Sequence, residues 1–416
     1  IQGFKITNGG NVSEGGGILC IGASPQFKSL MILGNQADDL GGGISIKNSS
    51  PQLKKSLVLS NTASSGGGIA IYQSYAILDD LVIESNVSTG SHWTNGGGGL
   101  LIYGSGFLSV SNTKVNNNST TKNGGGINID SGGSSLTNVQ VTNNSASSGG
   151  GLSIWGSSTL ENLIIYGNNA SNLGGGIEIY SGDPIISNSV IYNNTAENGG
   201  GGFFARSSEF VLNDVIIANN SSFTNGGGLY FKASPQLTRV TVISNSAELN
   251  GGGMYISGGY QDVNPVLENL TISGNLSISG SEGIYVTADE NGGGMNPNVF
   301  ISNSNIVYNG TGLFNNLNIV TPSATNNYWG HNSGPYHPTQ NSSGQGDSVN
   351  TFVNVDPWLS SPHPDAPPIP AQNTTVTGTG NDFISLNWDS YIWSDLAGYK
   401  LYYDSDSSGY PYTNSV

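Results

Sequence analysis

The sequence predicts an all-β protein: a single-stranded right-handed parallel β-helix of about twelve rungs with a C-terminal cap, then a partial β-sandwich. Three observations predict it. A glycine cluster returns about every 25 residues, the first and third positions after each cluster are apolar, and asparagines recur in register with both.

The glycine clusters end at Gly17, Gly43, Gly68, Gly99, Gly126, Gly151, Gly176, Gly202, Gly228 and Gly253, spaced 26, 25, 31, 27, 25, 25, 26, 26 and 25. Degenerate copies follow at Gly283 and Gly312. Glycine inside an ordered element costs roughly 0.5–1 kcal/mol relative to alanine, so a repeated triple needs a cause. A turn with φ > 0, and backbones stacked with no Cβ between them, both demand it. A phosphate-cradling loop needs a following helix and occurs once in a chain, not twelve times.

After each cluster, pairs such as Ile44 and Ile46, Leu152 and Ile154, and Ile177 and Ile179 alternate with variable residues. Period two is a strand with one buried face. Two more apolar columns run through Leu136, Leu160 and Ile186, and through Val141, Ile165 and Ile191. Short strands, a constant unit and no helical period predict a solenoid with about three strands per rung. At ~4.8 Å per rung the rod is roughly 55–60 Å long, and crossover chirality favours the right hand. One asparagine column runs Asn35, Asn61, Asn86, Asn118, Asn144, Asn168, Asn194, Asn220, Asn245, Asn275 and Asn309; a second includes Asn112, Asn138, Asn162, Asn188, Asn269 and Asn303, with Asp214 once. Both predict left-handed turn residues whose amides bond up the stack rather than glycosylation acceptors.

Composition narrows function. Lys plus Arg number 11 against 27 Asp plus Glu, for a net charge of −16. Such a surface repels phosphate backbones and anionic lipid, so no nucleic acid is expected as partner. No apolar run approaches the ~20 residues of a membrane span, so no membrane insertion is expected from this segment. The single cysteine, Cys20, allows no internal disulfide and takes an inward position, predicting a buried free thiol. No cofactor and no structural metal are expected; the turn acids Asp38, Asp39, Asp289 and Glu290 leave calcium as the one candidate, without a clear set of six oxygen ligands. The opening "IQGFKITNGG" already reads as strand and turn, which predicts a processed or trimmed piece.

The expected organisation is β-helix over 1–320, cap over 321–359, proline-rich linker over 360–372 and a partial module over 373–416. The cap segment "ATNNYWGHNSGPYHP" covers the open end of the last rung, with His331 and His337 as cap side chains. "SSPHPDAPPIPAQ" predicts an extended, semi-rigid linker.

The unit "N-x-A-x4-GGG-[IL]-x-[IV]" with "[IV]-x-x-N" before it resembles the repeats of polymorphic outer-membrane-protein autotransporters, which are surface adhesins on a right-handed β-helix. "IQGFKITNGG" and the "NNYWG…GP…PWL" closing segment are similar to rungs and ends of secreted bacterial β-helix proteins, which resemble pectate lyases in fold. "ISLNW" and "AGYKLYY" resemble the opening strands of a fibronectin type III module. These resemblances imply an extracellular or bacterial cell-surface location.

Outward positions are free to vary, so ligand-facing residues are sought there. The fourth position after the glycines reads Lys47, Tyr72, Tyr103, Asp130, Trp155, Tyr180, Arg206 and Lys232; the second includes Ser45, Ala70, Ser153, Glu178, Phe204, Tyr230 and Tyr255, and is expected to be exposed too. The 31-residue rung adds a loop with His92 and Trp93. Aromatic rings one or two rungs apart suit the apolar faces of sugars, and flanking charges suit hydroxyls. The expected ligand face is therefore Tyr72, His92, Trp93, Tyr103, Asp130, Trp155, Glu178, Tyr180, Arg206 and Lys232. Its partner would be a glycan or a host or neighbouring-cell surface ligand, with self-association possible through the rod ends. Two alternatives stand beside an adhesin: a polysaccharide lyase or glycoside hydrolase, with Glu178, Arg206 and Lys232 as base and cations or Asp130 and Glu178 as a carboxylate pair, and a purely structural surface or filament component.

Overall fold

The rung starts where the glycines place it. In the computed structural model Gly149 has φ +60°. A Cβ on Gly150 would lie 2.5 Å from the Asn169 carbonyl oxygen, and one on Gly151 would lie 2.6 Å from that of Gly176. The first glycine makes the left-handed turn, and the next two admit the backbone of the following rung. The structure describes all residues except 91–95, 105, 131, 281–282, 290–291, 293, 318–319, 372–373, 381–383, 389–401, 404–413 and 416.

One full turn comprises Leu152–Trp155, Thr159–Glu161, Ile164–Tyr166 and Asn169–Ala170. Such segments stack into parallel sheets of thirteen, nineteen and nine strands. In the first, the last strand is Ser348–Val349 from the cap, leaving one strand for each of twelve rungs. Register is strict: Leu152 pairs with Ile177, Ser153 with Glu178 and Ile154 with Ile179. Leu152, Ile154, Leu160 and Ile165 are fully buried in the lumen, and Cys20 is a buried free thiol, as the pattern predicts.

The two asparagine columns divide the work that the sequence assigned to both. The first is the buried ladder. Asn168 Oδ1 accepts from the Asn144 backbone N–H at 2.9 Å and from its Nδ2 at 3.0 Å. Its own Nδ2 donates to the Val141 carbonyl and to Asn194 Oδ1, both at 2.9 Å. The left-handed residue is the one before it: Asn143, Gly167 and Asn193 have φ of 55°, 66° and 52°. The second column bends the middle of the rung, with φ +56° at Asn162, and is exposed from Asn112 to Asp214 and half-buried at Asn269 and Asn303. That bend is why the turn has four strand segments rather than three. In Ile185–Tyr192 and Val211–Ala218 it falls inside one strand, at Asn188 and Asp214.

The ladder ends on an acid. Asp347 Oδ2 accepts from the Asn309 backbone N–H at 2.8 Å and from its Nδ2 at 2.9 Å. A carboxylate suits this place because it brings no donor of its own to be stranded. Beside it, Trp329 is fully buried and joins the core at the end of the lumen. His337 is also fully buried, with Nε2 on the Val353 carbonyl at 3.0 Å and Nδ1 accepting from the Thr339 and Gln340 amides.

The proline-rich segment is not a free spacer. The His363 amide donates to Asn305 Oδ1 at 2.9 Å, and Thr271 Oγ1 donates to the Pro367 carbonyl. Ala366 is buried. Prolines lack an N–H, so carbonyls and the few remaining amides tie the segment to the broad sheet. Beyond it, Thr375–Thr379 pairs antiparallel with Ile384–Asn387, and Tyr402–Tyr403 pairs with Asn414–Ser415.

Candidate functional site

The strand after each glycine cluster carries the outward columns, and the fourth column forms two stacks. Tyr72 and Tyr103 stack with centroids 5.4 Å apart and planes at 20°. Lys47 Nζ lies 5.7 Å from the Tyr72 centroid, on the preceding rung. Trp155 and Tyr180 stack at 3.8 Å and 7°, and the Arg206 guanidinium lies 5.2 Å from the Tyr180 centroid. Each stack is a cation and two rings, held one rung apart by the sheet. Asp130 stands on the rung between them, since Ile102 pairs with Ile129 and Ile129 with Ile154. The column is half-buried apart from Arg206, which is exposed. Lys232 continues it, 3.6 Å from Asp289 and 5.8 Å from the Tyr230 centroid.

The second column contradicts the expectation of exposure. Ser45, Ala70, Ser153, Glu178, Phe204, Tyr230 and Tyr255 are all buried, Ser153 completely. Their side chains leave the lumen, but the turn before each glycine cluster folds over them: Leu173 packs on the cluster of Phe204, Tyr230 and Tyr255. An apolar residue placed just before the glycines, as Leu40 and Leu173 are, was the available signal. A groove of about 350 Å³ lies over the aromatic part of the column, lined by Leu173, Phe204, Arg206, Tyr230, Lys232 and Leu249. Where the column is Ser45 and Ala70, a groove of about 360 Å³ lies, bordered by Leu40, Lys47, Tyr72 and Tyr103. Glu14 and Asp39 also border it; the first forms an ion pair with Lys47 at 2.8 Å. Nothing in the spacing marked Glu14 as a member of a site, and Lys47, which the spacing put first in the fourth column, was not among the expected ligand-face residues.

Glu178 sits under this cover, 4% exposed, accepting from Ser153 Oγ at 3.1 Å. Burial raises its carboxyl to about 7, against the opposing pull of the Ser153 hydrogen bond and the Arg206 charge. It therefore does not face a ligand beside Asp130, and the two carboxylates belong to different columns; the proposed hydrolase pair is not assembled. Glu178, Arg206 and Lys232 do follow rung on rung, but Glu178 lies beneath and the two cations lie over ring faces. His92 and Trp93 lie outside the described residues. Among the described residues, no group of three or more His, Cys, Asp or Glu side chains is placed to hold a metal ion. No helix among them is long and apolar enough to cross a membrane.

Twelve parallel rungs, a buried asparagine ladder and a plugged end define a parallel β-solenoid. The chain belongs to the right handed beta helix region family, whose model matches residues 98–292 and 150–334, together more than half of the chain. No curated protein and no solved structure matches it.

Proposed function

We propose that this chain is part of an exported bacterial surface protein whose β-helix is a rigid rod displaying a glycan-binding face, as an adhesin does. The observation that carries this reading is the interrupted aromatic column. Tyr103 and Trp155 end their stacks two rungs apart, about 9.6 Å at ~4.8 Å per rung, with the short Asp130 between. A pyranose ring at about 4 Å from each ring face fills that interval, and a carboxylate below it accepts from sugar hydroxyls. The net charge of −16 favours neutral or cationic polymers over uronates. Contacts are weak singly and gain strength by repetition along the rod.

The test is a glycan array read with the native protein and with a Trp155→Ala, Tyr180→Ala variant. Binding is expected to fall about tenfold or more in the variant, the scale of losing two stacked rings. Unchanged binding removes this face. Glu178, protonated up to about 7 beside Arg206, favours a second reading as a polysaccharide-cleaving enzyme. Its burial counts against contact with substrate, and release of new reducing or unsaturated sugar ends would reverse that judgement.

A further inference from the structure

The groove at the start of the outward face is lined by two small side chains of the second column, Ser45 and Ala70. Phe204, Tyr230 and Tyr255 occupy the same column farther along and pack against Leu173. Around Ser45 and Ala70 about 360 Å³ is open, and here the lining differs from that over Phe204 and Tyr230 in carrying two carboxylates, Glu14 and Asp39. That volume falls in the range of small-ligand pockets. Its floor is Ala70 and Leu101, and one wall is the Tyr72–Tyr103 stack. Ser45 lines it at 1% exposure, and its Oγ has no hydrogen-bond partner among the described residues. Buried hydroxyls are normally partnered, so this one is placed to meet a ligand group.

The charges at the groove are unbalanced. Glu14 and Asp39 face a single cation, Lys47, which Glu14 already pairs at 2.8 Å. Asp39 Oδ2 accepts from Ser13 Oγ at 2.7 Å, which orients that carboxylate without neutralising it. The whole chain repeats the imbalance, 27 acids to 11 bases, so the field at the groove attracts positive charge. An apolar floor, ring edges, a buried hydroxyl and an acidic rim together match an amphipathic ring that carries an ammonium group.

Resting on the glycan reading above, we propose that this groove binds a hexosamine unit with a free, protonated amino group. The sugar's apolar face lies on Ala70 and Leu101, a ring hydroxyl meets Ser45 Oγ, and the ammonium lies at Asp39 and Glu14. The N-acetylated sugar has the same ring but no charge and places an added acyl group against the acidic rim. The groove therefore discriminates between the two.

Titration calorimetry at mildly acid pH with a chitosan oligosaccharide and with its fully N-acetylated counterpart tests this. The free-amine oligomer is expected to bind at least about tenfold tighter, with the preference shrinking as salt rises. Asp39→Asn is expected to weaken the free-amine oligomer about tenfold and to leave the acetylated one unchanged. Ala70→Tyr copies the aromatic residue of Tyr230 in the same column, fills the groove and is expected to abolish the preference. Equal affinity for the two oligomers, or a preference that survives Ala70→Tyr, overturns the proposal. Failure of both oligomers to bind overturns it as well, and the array experiment with the Trp155 and Tyr180 variant then judges the glycan reading independently.

Discussion

Asn168→Ala is expected to destabilise the rod by about 3–5 kcal/mol, although the side chain touches no site and leaves a small volume behind. The loss is of hydrogen bonds that nothing can replace. Alanine strands the Asn144 backbone N–H, one Asn144 Nδ2 hydrogen and the Val141 carbonyl in a fully buried setting. Each orphaned buried group costs about 1–3 kcal/mol. Rungs contact only their neighbours, so the damage concentrates there. Hydrogen exchange should quicken first in the two rungs bracketing Asn168, and the chemical denaturation midpoint should fall. Asn138→Gly, in the exposed column, is the control and should cost under about 1 kcal/mol, since the Asn138–Asn112 and Asn162–Asn138 bonds of 3.2 Å lie in solvent and glycine keeps the left-handed φ of +57°. Equal costs at the two positions would mean that the ladder does not hold the rungs.

The second large effect is in pH. The Glu178 carboxyl rises from 4.5 to about 7 on folding, chiefly because burial penalises its charge. The folded chain therefore holds a proton that the unfolded chain gives up between those values. Stability is complete below about 4.5 and falls as pH rises through about 7, by about 3 kcal/mol at most. Glu178→Gln keeps a polar partner for Ser153 and has no proton to lose. The variant should be nearly as stable as the native chain at pH about 4.5, more stable at pH about 8, and flat where the native chain slopes. Asp347, raised to about 6 by burial, contributes in the same direction, so a shallower slope between about 4 and about 6 should persist in the variant. A native chain whose stability rises across this range would show that Glu178 is charged in the folded state.

Much of the rod was legible because a solenoid writes each structural demand twelve times. Gly149, Gly150 and Gly151 each carry a constraint, and repetition showed it. The lumen followed from period two at Leu152 and Ile154. Less was legible wherever a contact joins different parts of the rung. Period two correctly sends Ser153 and Glu178 away from the lumen, but it carries no information about what closes over them there. Asp347 lies in a segment without repeat, so its place at the end of the asparagine ladder had no register to betray it. The docking of the proline-rich segment on Asn305 and Thr271 was hidden likewise, because composition reports the stiffness of a segment and not what it lies against. In the candidate site, period two placed the fourth column on one outward strand, whereas the groove was missed: its border joins that column to Glu14 and Asp39, which lie in the turns before the glycines.

A crystal structure of the protein with the oligosaccharide that binds best on the array bears most directly on the glycan-binding face. The sugar is expected on the outward column, with one ring between Tyr103 and Trp155 and a hydroxyl on the Asp130 carboxylate. An oligosaccharide seated on the broad sheet or on the cap, with the interval above Asp130 bare, would contradict the assignment of this face.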